Sequence, residues 1–439
     1  MQFYSTKHES PNVDLEEAVM KSQPADKGLY MPEVITPLPA SFFEEIENLS
    51  FAEMAYQVAH TLLQDSIEAD ALQKIVADTL QFDAPLQPVH DNIACLELFH
   101  GPTLAFKDFG AQFMARLMGH FVQGNTEKQY VLVATSGDTG GAVARGFYQV
   151  PNIEVIILYP SGKVSDLQEK QLTTLGHNIS ALEINGTFDN CQALVKTAFN
   201  DADLNQKMKL ASANSISLAR LIPQMFYYFR AYQLLKDKSK PMIVCVPSGN
   251  FGNITAGLIA KRMGLPIAKF IAATNANRVF PDFLQTEEYT PINPSIATYS
   301  NAMDVGNPSN FQRIIDLYGG DIEAIRKDIF ACSYNDDETL ETLKAVHDEY
   351  GYEMCPHTAI AYRGLMEYLN ANALTDNCNG IFLATAHPSK FLDIVEQTIG
   401  TSIEIPHDLA VLKDKEKVAR KMEVDFEAFK EYLMNCIIS

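Results

Sequence analysis

The sequence predicts an α/β fold built on parallel sheets, and three observations predict it. Short apolar, β-branched runs recur without polar alternation, as in strands buried on both faces. Several of these runs lead into a Gly- or Ser-rich turn and then a helical pattern, and repeated strand–turn–helix units imply parallel pairing. One such unit occurs twice. YVLVATSGDTGGAVA (130–144) and MIVCVPSGNFGNITAG (242–257) both place Ser-Gly-Asp/Asn-x-Gly between a strand and a helix.

In chain order, Asp14–Ser22, Phe42–Glu47, Phe51–Leu63 and Asp70–Thr79 carry helical patterns. They predict a mostly helical N-terminal domain over 1–92. Strands are expected at Tyr130–Ala134, Glu154–Tyr159, Ser180–Ile184, Met242–Val246, Lys269–Ala273 and Gly380–Thr385. They divide into a large α/β domain (93–120 and 212–395) and a small one (121–211) carrying the SGDTG loop. Residues 275–310 are rich in Asn and Pro; a long irregular stretch of this kind is either functional or simply exposed. The charged run KDKEKVARK lies in a C-terminal tail, 396–439, expected to be helical with a solvated face.

The bulk properties narrow the function. The 439 residues are 47% hydrophobic and 20% charged, enough for two or three domains with a large core. With 34 basic against 55 acidic residues the net charge is -21, which repels phosphate backbones and argues against nucleic acid as a partner. The N-terminus, MQFYSTKHES, has no basic region followed by an apolar one, and no apolar run nears the ~20 residues of a membrane span. Seven scattered cysteines without a CxxC pair suit a reducing cytoplasm and predict neither structural zinc nor a disulfide framework.

Three motifs carry chemistry. In Pro247-Ser-Gly-Asn-Phe-Gly-Asn253, Gly249 and Gly252 allow backbone amides to converge, and the following helix adds its positive end. The turn contains no Lys or Arg and matches neither a Walker A loop nor GxGxxG. It reads as an amide-built phosphate cradle or as a plain strand-to-helix turn. Ser136, Gly137, Asp138 and Thr139 form a second candidate cradle; the Asp138 carboxylate disfavours a bare phosphate there, whereas a substrate carboxylate suits the hydroxyls and amides. Lys107 lies among Leu104, Phe106 and Phe109 in HGPTLAFKDFG. Desolvation favours the neutral amine, which can attack a carbonyl, although a lysine stem also packs on aromatic rings with its ammonium in water. Together, a framed lysine and two anion cradles have the parts for pyridoxal phosphate chemistry. Thr385, at the carboxyl end of an apolar strand, offers a hydroxyl to a neutral pyridine nitrogen. His387, two residues on, reads as structural rather than as a base.

LELFHGPTLAFKDFGAQF (96–113), ATSGDTGGAVA (134–144), ILYPSGKVSDLQEKQ (157–171), SANSISLARL (212–221), VPSGNFGNITAGL (246–258), FIAATNAN (270–277) and SNAMDVGNPSN (300–310) closely resemble the bacterial threonine synthases; GLYMP (28–32) and CPHTAIAYRGL (355–365) match too. The resemblance implies a fold type II pyridoxal phosphate enzyme, like the tryptophan synthase β chain, that converts O-phospho-L-homoserine and water into threonine and phosphate. It implies that Lys107 is the Schiff-base lysine, that Gly249, Asn250, Phe251, Gly252 and Asn253 hold the cofactor phosphate, and that Thr385 meets the pyridine nitrogen. It places Asn214 near the cofactor ring and the loop from Ser136 to Thr139 at the substrate carboxylate. Lys163 and Arg220 are candidates for the substrate phosphate. No metal is expected, and family members are monomers or homodimers. The alternatives are another fold type II lyase, such as threonine dehydratase, and a non-catalytic relative that binds phosphorylated small molecules. The SGDTG and SNAMDVGNPSN blocks argue against the first, and the intact Lys107, cradle and Thr385 against the second.

Overall fold

The computed structural model describes residues 1–438. Two short strands, β1 (Phe3–Ser5) and β2 (Tyr30–Pro32), precede the two main sheets. The first sheet uses β3 (Leu86–His90), β4 (Ile93–Glu97), β9 (Met242–Pro247), β10 (Ile267–Thr274), β11 (Ile329–Ser333) and β12 (Asn379–Ala384), in the order β11-β10-β9-β12-β4-β3. All its pairings are parallel except β3 with β4. The second uses β5 (Gln129–Ala134), β6 (Ile153–Pro160), β7 (Ile179–Ile184), β8 (Lys209–Ser212) and β13 (Arg420–Met422), in the order β13-β7-β6-β5-β8, all parallel.

The parallel α/β reading therefore holds, and each of the six predicted strands is present with its ends shifted by at most two residues. Every residue of β5 and of β9 is buried, which is why their sequences show no alternation. β4, β8, β11 and β13 carry a weaker signal, being short or interrupted by polar residues. The four predicted N-terminal helices are found as Leu15–Lys21, Ala40–Glu45, Phe51–Leu63 and Ala69–Thr79. The third has a Ser50/Glu53 capping box.

The chain divides into two compact units. One contains Met31–Phe106 and Leu221–Glu404, and with them the six-stranded sheet. The other contains Gln2–Tyr30, Lys107–Arg220 and the described chain from Ile405 onward, and with them the five-stranded sheet. The stretch expected as one helical N-terminal domain is thus shared: its first helix belongs with the five-stranded sheet, where the hydroxyl of Ser22 accepts from the Ser212 amide at 3.1 Å. The other three helices belong with the six-stranded sheet.

The tail corrects one expectation. Helix is found over His407–Ala410 and Phe426–Ile438, but not over the charged run 413–421. There Lys417 reaches Glu169 at 2.6 Å and Glu183 at 2.8 Å, the Val418 amide donates to the Thr173 carbonyl, and β13 pairs with β7. Strand pairing and a partly buried ion pair override the local preference of a Lys/Glu-rich segment for helix.

Gly257 shows how tightly the helix Gly252–Arg262 packs within its unit. A Cβ there would lie 2.7 Å from the Phe270 ring and 2.9 Å from that of Tyr228, both fully buried. Overpacking costs about 1–3 kcal/mol, more than the roughly 1 kcal/mol that alanine gains in helix propensity. Gly257→Ala is expected to lower the urea midpoint with an unchanged m-value; an unchanged or raised midpoint would contradict this packing.

Candidate active site

In the first unit β4, β12, β9 and β10 run parallel, so their carboxyl ends lie along one edge of the sheet. That is where an open α/β sheet binds ligands. β9 ends in the 248–253 turn and β12 in Thr385, while β4 leads into the segment 98–106. This segment is stitched to the residues after β12. The Phe106 amide donates to the Thr385 carbonyl at 2.9 Å, the His387 amide donates to the Leu104 carbonyl at 3.1 Å, and Ala105 bridges Ala386. The buried Lys390 ammonium donates to the Thr103 carbonyl at 2.8 Å. Leu104 takes a left-handed conformation, φ 58°, to make the turn. Lys107 is the next residue after Phe106 and the first of the helix Lys107–Phe121.

The 248–253 turn has the local geometry that an anion cradle needs. Phe251 sits at the helix N-cap with φ 61°, an unusual conformation for an aromatic residue. Among the described residues, nothing accepts a hydrogen bond from the amides of Gly249, Asn250, Phe251, Gly252, Asn253 or Ile254. The Asn250 carbonyl is turned the other way, taking bonds from the Asn310 amide at 3.2 Å and side chain at 3.0 Å. Asn253 accepts from the hydroxyls of Tyr227 (2.7 Å) and Tyr228 (2.6 Å) through Oδ1, which commits its Nδ2 to donation. That Nδ2 is buried and has no acceptor among the described residues. Open amides at a helix N-terminus, joined by one buried unpaired side-chain donor, fit a phosphate. A Cβ on Gly249 would lie 2.9 Å from the Met303 Cα, so only glycine fits there.

The irregular stretch 275–310 is therefore built around the turn. Its buried Asn275 donates to Asp304 and Thr298, each at 2.8 Å, and the Asn277 amide donates back to Asn275 at 3.0 Å. Asn310 and its neighbours were not singled out in the sequence. Their signal was the matching SNAMDVGNPSN block, but the bonds they make are non-local. Thr385 is 6% exposed, and its hydroxyl makes no hydrogen bond among the described residues.

In the second unit β5, β6 and β8 likewise end along one edge, which carries the 135–139 loop, Lys163 and Asn214. Gly137, φ 135°, turns the chain into the helix Asp138–Phe147, and a Cβ on it would lie 2.8 Å from the Gln168 side chain. Thr135 Oγ1 accepts from the amides of Gly137 (2.9 Å) and Gly140 (2.8 Å). Asp138 is buried and accepts from Gln168 Nε2 at 2.8 Å, a partner the sequence reading missed. Asn214 both accepts from the Ala134 amide and donates to the Ala134 carbonyl, extending the β5–β8 ladder to the start of the loop. Arg220 is buried, donates to the Ala213 carbonyl and packs against Gly110; burial pulls its pKa down to about 10, still charged at neutral pH. Lys163 is exposed in the turn after β6, and its ammonium has no partner among the described residues.

The family described as "Pyridoxal-phosphate dependent enzyme" matches residues 85–385, "Threonine synthase N terminus" matches 2–80, and "Threonine synthase, C-terminal" matches 358–433. The threonine synthase of Haemophilus influenzae is 44% identical over 438 residues, covering 99% of this chain and all of its own. The crystal structure of the Escherichia coli threonine synthase superposes with a TM-score of 0.92 at 40% identity, over 99% of this chain and 100% of that one. The pyridoxal-phosphate-bound threonine synthase of Brucella melitensis gives 0.90 at 34%, over 99% of each chain. A threonine deaminase of Solanum lycopersicum, at 17% identity and a TM-score of 0.56, shares the fold alone. The fold and family matches define a fold type II pyridoxal-phosphate-dependent enzyme. Within that class, the chain belongs to the threonine synthase family.

His387 caps the turn Pro388–Phe391, its Nδ1 accepting from the Ser389 amide at 3.1 Å, and burial lowers its pKa to about 4 from 6.5. Between these two values the unfolded chain binds the proton and the folded chain does not. The stabilising contribution is complete above pH 6.5 and is lost as pH falls toward 4. His387→Asn keeps a capping acceptor and is expected to flatten the stability–pH curve across that window. An unchanged slope in urea unfolding at pH 4.5, 5.5 and 6.5 would contradict the assignment.

Proposed function

We propose that this enzyme converts O-phospho-L-homoserine and water into L-threonine and inorganic phosphate, acting in the cytoplasm. The observation that carries the reading is the 249–254 turn, six amides and the buried Asn253 Nδ2 gathered without an acceptor. The full-length likeness to threonine synthases supports it. Pyridoxal phosphate, when bound, supplies an electron sink for carbon acids.

The chain's own residues do the rest. Gly249, Asn250, Phe251, Gly252 and Asn253 hold the cofactor phosphate through amides and the Asn253 side chain. Thr385 offers its hydroxyl to the pyridine nitrogen without delivering a full proton. Lys107 would hold the cofactor by its aldehyde. Its amine takes the protons from Cα and Cβ and returns one to Cα and one to Cγ. The amides and hydroxyls from Ser136 to Thr139 receive the substrate carboxylate, with Asp138 fixed by Gln168. Asn214 keeps that loop in register through Ala134. Lys163 has a free ammonium for the substrate phosphate, whereas Arg220 acts through the Ala213 carbonyl that it already binds. The Cγ–O bond breaks and Cγ, protonated by Lys107, ends as a methyl; water gives its hydroxyl to Cβ and its remaining proton to the departing phosphate.

The decisive assay is product analysis. Threonine and phosphate in equal amounts are expected from O-phosphohomoserine, whereas 2-oxobutanoate and ammonia would sink this reading. Lys107→Ala should lower the rate by at least about a thousand-fold, since one group takes and returns every carbon-bound proton. Asn253→Asp still accepts from both tyrosines but sets a carboxylate against the phosphate. It should weaken binding of pyridoxal phosphate by at least about tenfold with little change in unfolding midpoint, as read by absorbance titration.

A further inference from the structure

The phosphate turn is closed on one side by a short piece of backbone, and that backbone is held by one histidine. His357 lies in the first turn of the helix Pro356–Ala371 and is 3% exposed. Its Nε2 accepts from the Ala302 amide at 3.2 Å. An amide can only donate, so Nε2 carries no proton. In the neutral ring the hydrogen then sits on Nδ1, which faces the Cys355 sulfur at 3.8 Å. The ring also packs on Phe391, centroids 4.9 Å apart. The residue it holds is next to the cradle: the Ala302 carbonyl and Met303 Cα lie 3.2 and 2.9 Å from where a Gly249 Cβ would stand. The turn Asn301–Met303 has only a 3-10 geometry of its own, so its position is set by such external bonds.

We propose that His357 is a positioning residue for the phosphate cradle: by accepting from Ala302, it holds the 301–303 backbone against Gly249 and so fixes the direction of the cradle's first amides. This inference rests on the reading that 249–253 bind the cofactor phosphate. The aromatic ring could be kept for packing alone, and the two roles predict different results. A packing role would affect folding or all ligands alike. A positioning role affects only what the phosphate contributes.

The test compares pyridoxal phosphate with pyridoxal, which lacks the phosphate, by absorbance titration of the full-length apoenzyme. Wild type, His357→Phe and His357→Gln are each titrated. Phenylalanine keeps the ring and removes the acceptor; glutamine keeps an acceptor oxygen at similar reach. The expected result is that wild type prefers pyridoxal phosphate strongly. His357→Phe should lose about tenfold or more of that preference with its pyridoxal affinity unchanged, and His357→Gln should stay within about threefold of wild type. Unchanged preference in His357→Phe overturns the proposal, as does an equal loss for both ligands. A wild-type protein with no preference would instead overturn the cradle reading itself. If His357→Phe does not fold, His357→Asn, whose acceptor is too short to reach, takes its place: a kept preference counts against the proposal, and a lost one supports it.

Discussion

Six consecutive backbone amides without an acceptor among the described residues are the constraint on which the first unit turns. A helix leaves up to four amides unpaired at its start; here the open run reaches back through the preceding turn and is joined by the buried Asn253 Nδ2, which has no acceptor among the described residues. Holding them open requires the left-handed Phe251, a glycine at 249 with no room for a Cβ, and an Asn250 carbonyl drawn away by Asn310. The irregular stretch 275–310 is the scaffold for that geometry. The same sheet edge carries Thr385 and the stitched segment that ends at Phe106, one residue before Lys107.

The two Ser-Gly turns began as an echo in the sequence and end as different instruments. In the 248–253 turn the amides from Gly249 on have no acceptor among the described residues, and Asn253 is fixed as a donor. In the 135–139 turn Thr135 already occupies two amides, and Asp138 adds a carboxylate satisfied by Gln168. The first suits a dianion and the second a weaker, singly charged group. A chain with net charge -21 can hold a phosphate this way because oriented dipoles act locally where the global field is unfavourable.

Much of this was legible in the sequence. Continuous apolar runs marked the buried parallel strands, and the Gly-containing turns after β5 and β9 marked the sheet edges where open α/β folds bind ligands. What stayed hidden was whatever depends on partners distant in the chain. Asn310 meets Asn250, Gln168 meets Asp138 and His357 meets Ala302, and no local pattern announces any of these pairs. The run 413–421 misled for the same reason: its composition favours helix, but Glu169 and Glu183 claim Lys417 and β7 claims the strand. Asn214 bonds the backbone at Ala134 and one amine of Arg220 the carbonyl of Ala213, contacts that no local pattern shows either.

The most direct measurement is amide hydrogen exchange of the apoenzyme in the peptide covering 248–255, alone, with pyridoxal phosphate and with pyridoxal. Donors that lack an acceptor exchange readily until an anion takes them. Strong slowing by pyridoxal phosphate and little by pyridoxal is the predicted result. Exchange in this peptide that is already slow without ligand, or that responds equally to both ligands, would contradict the cradle and the account built on it.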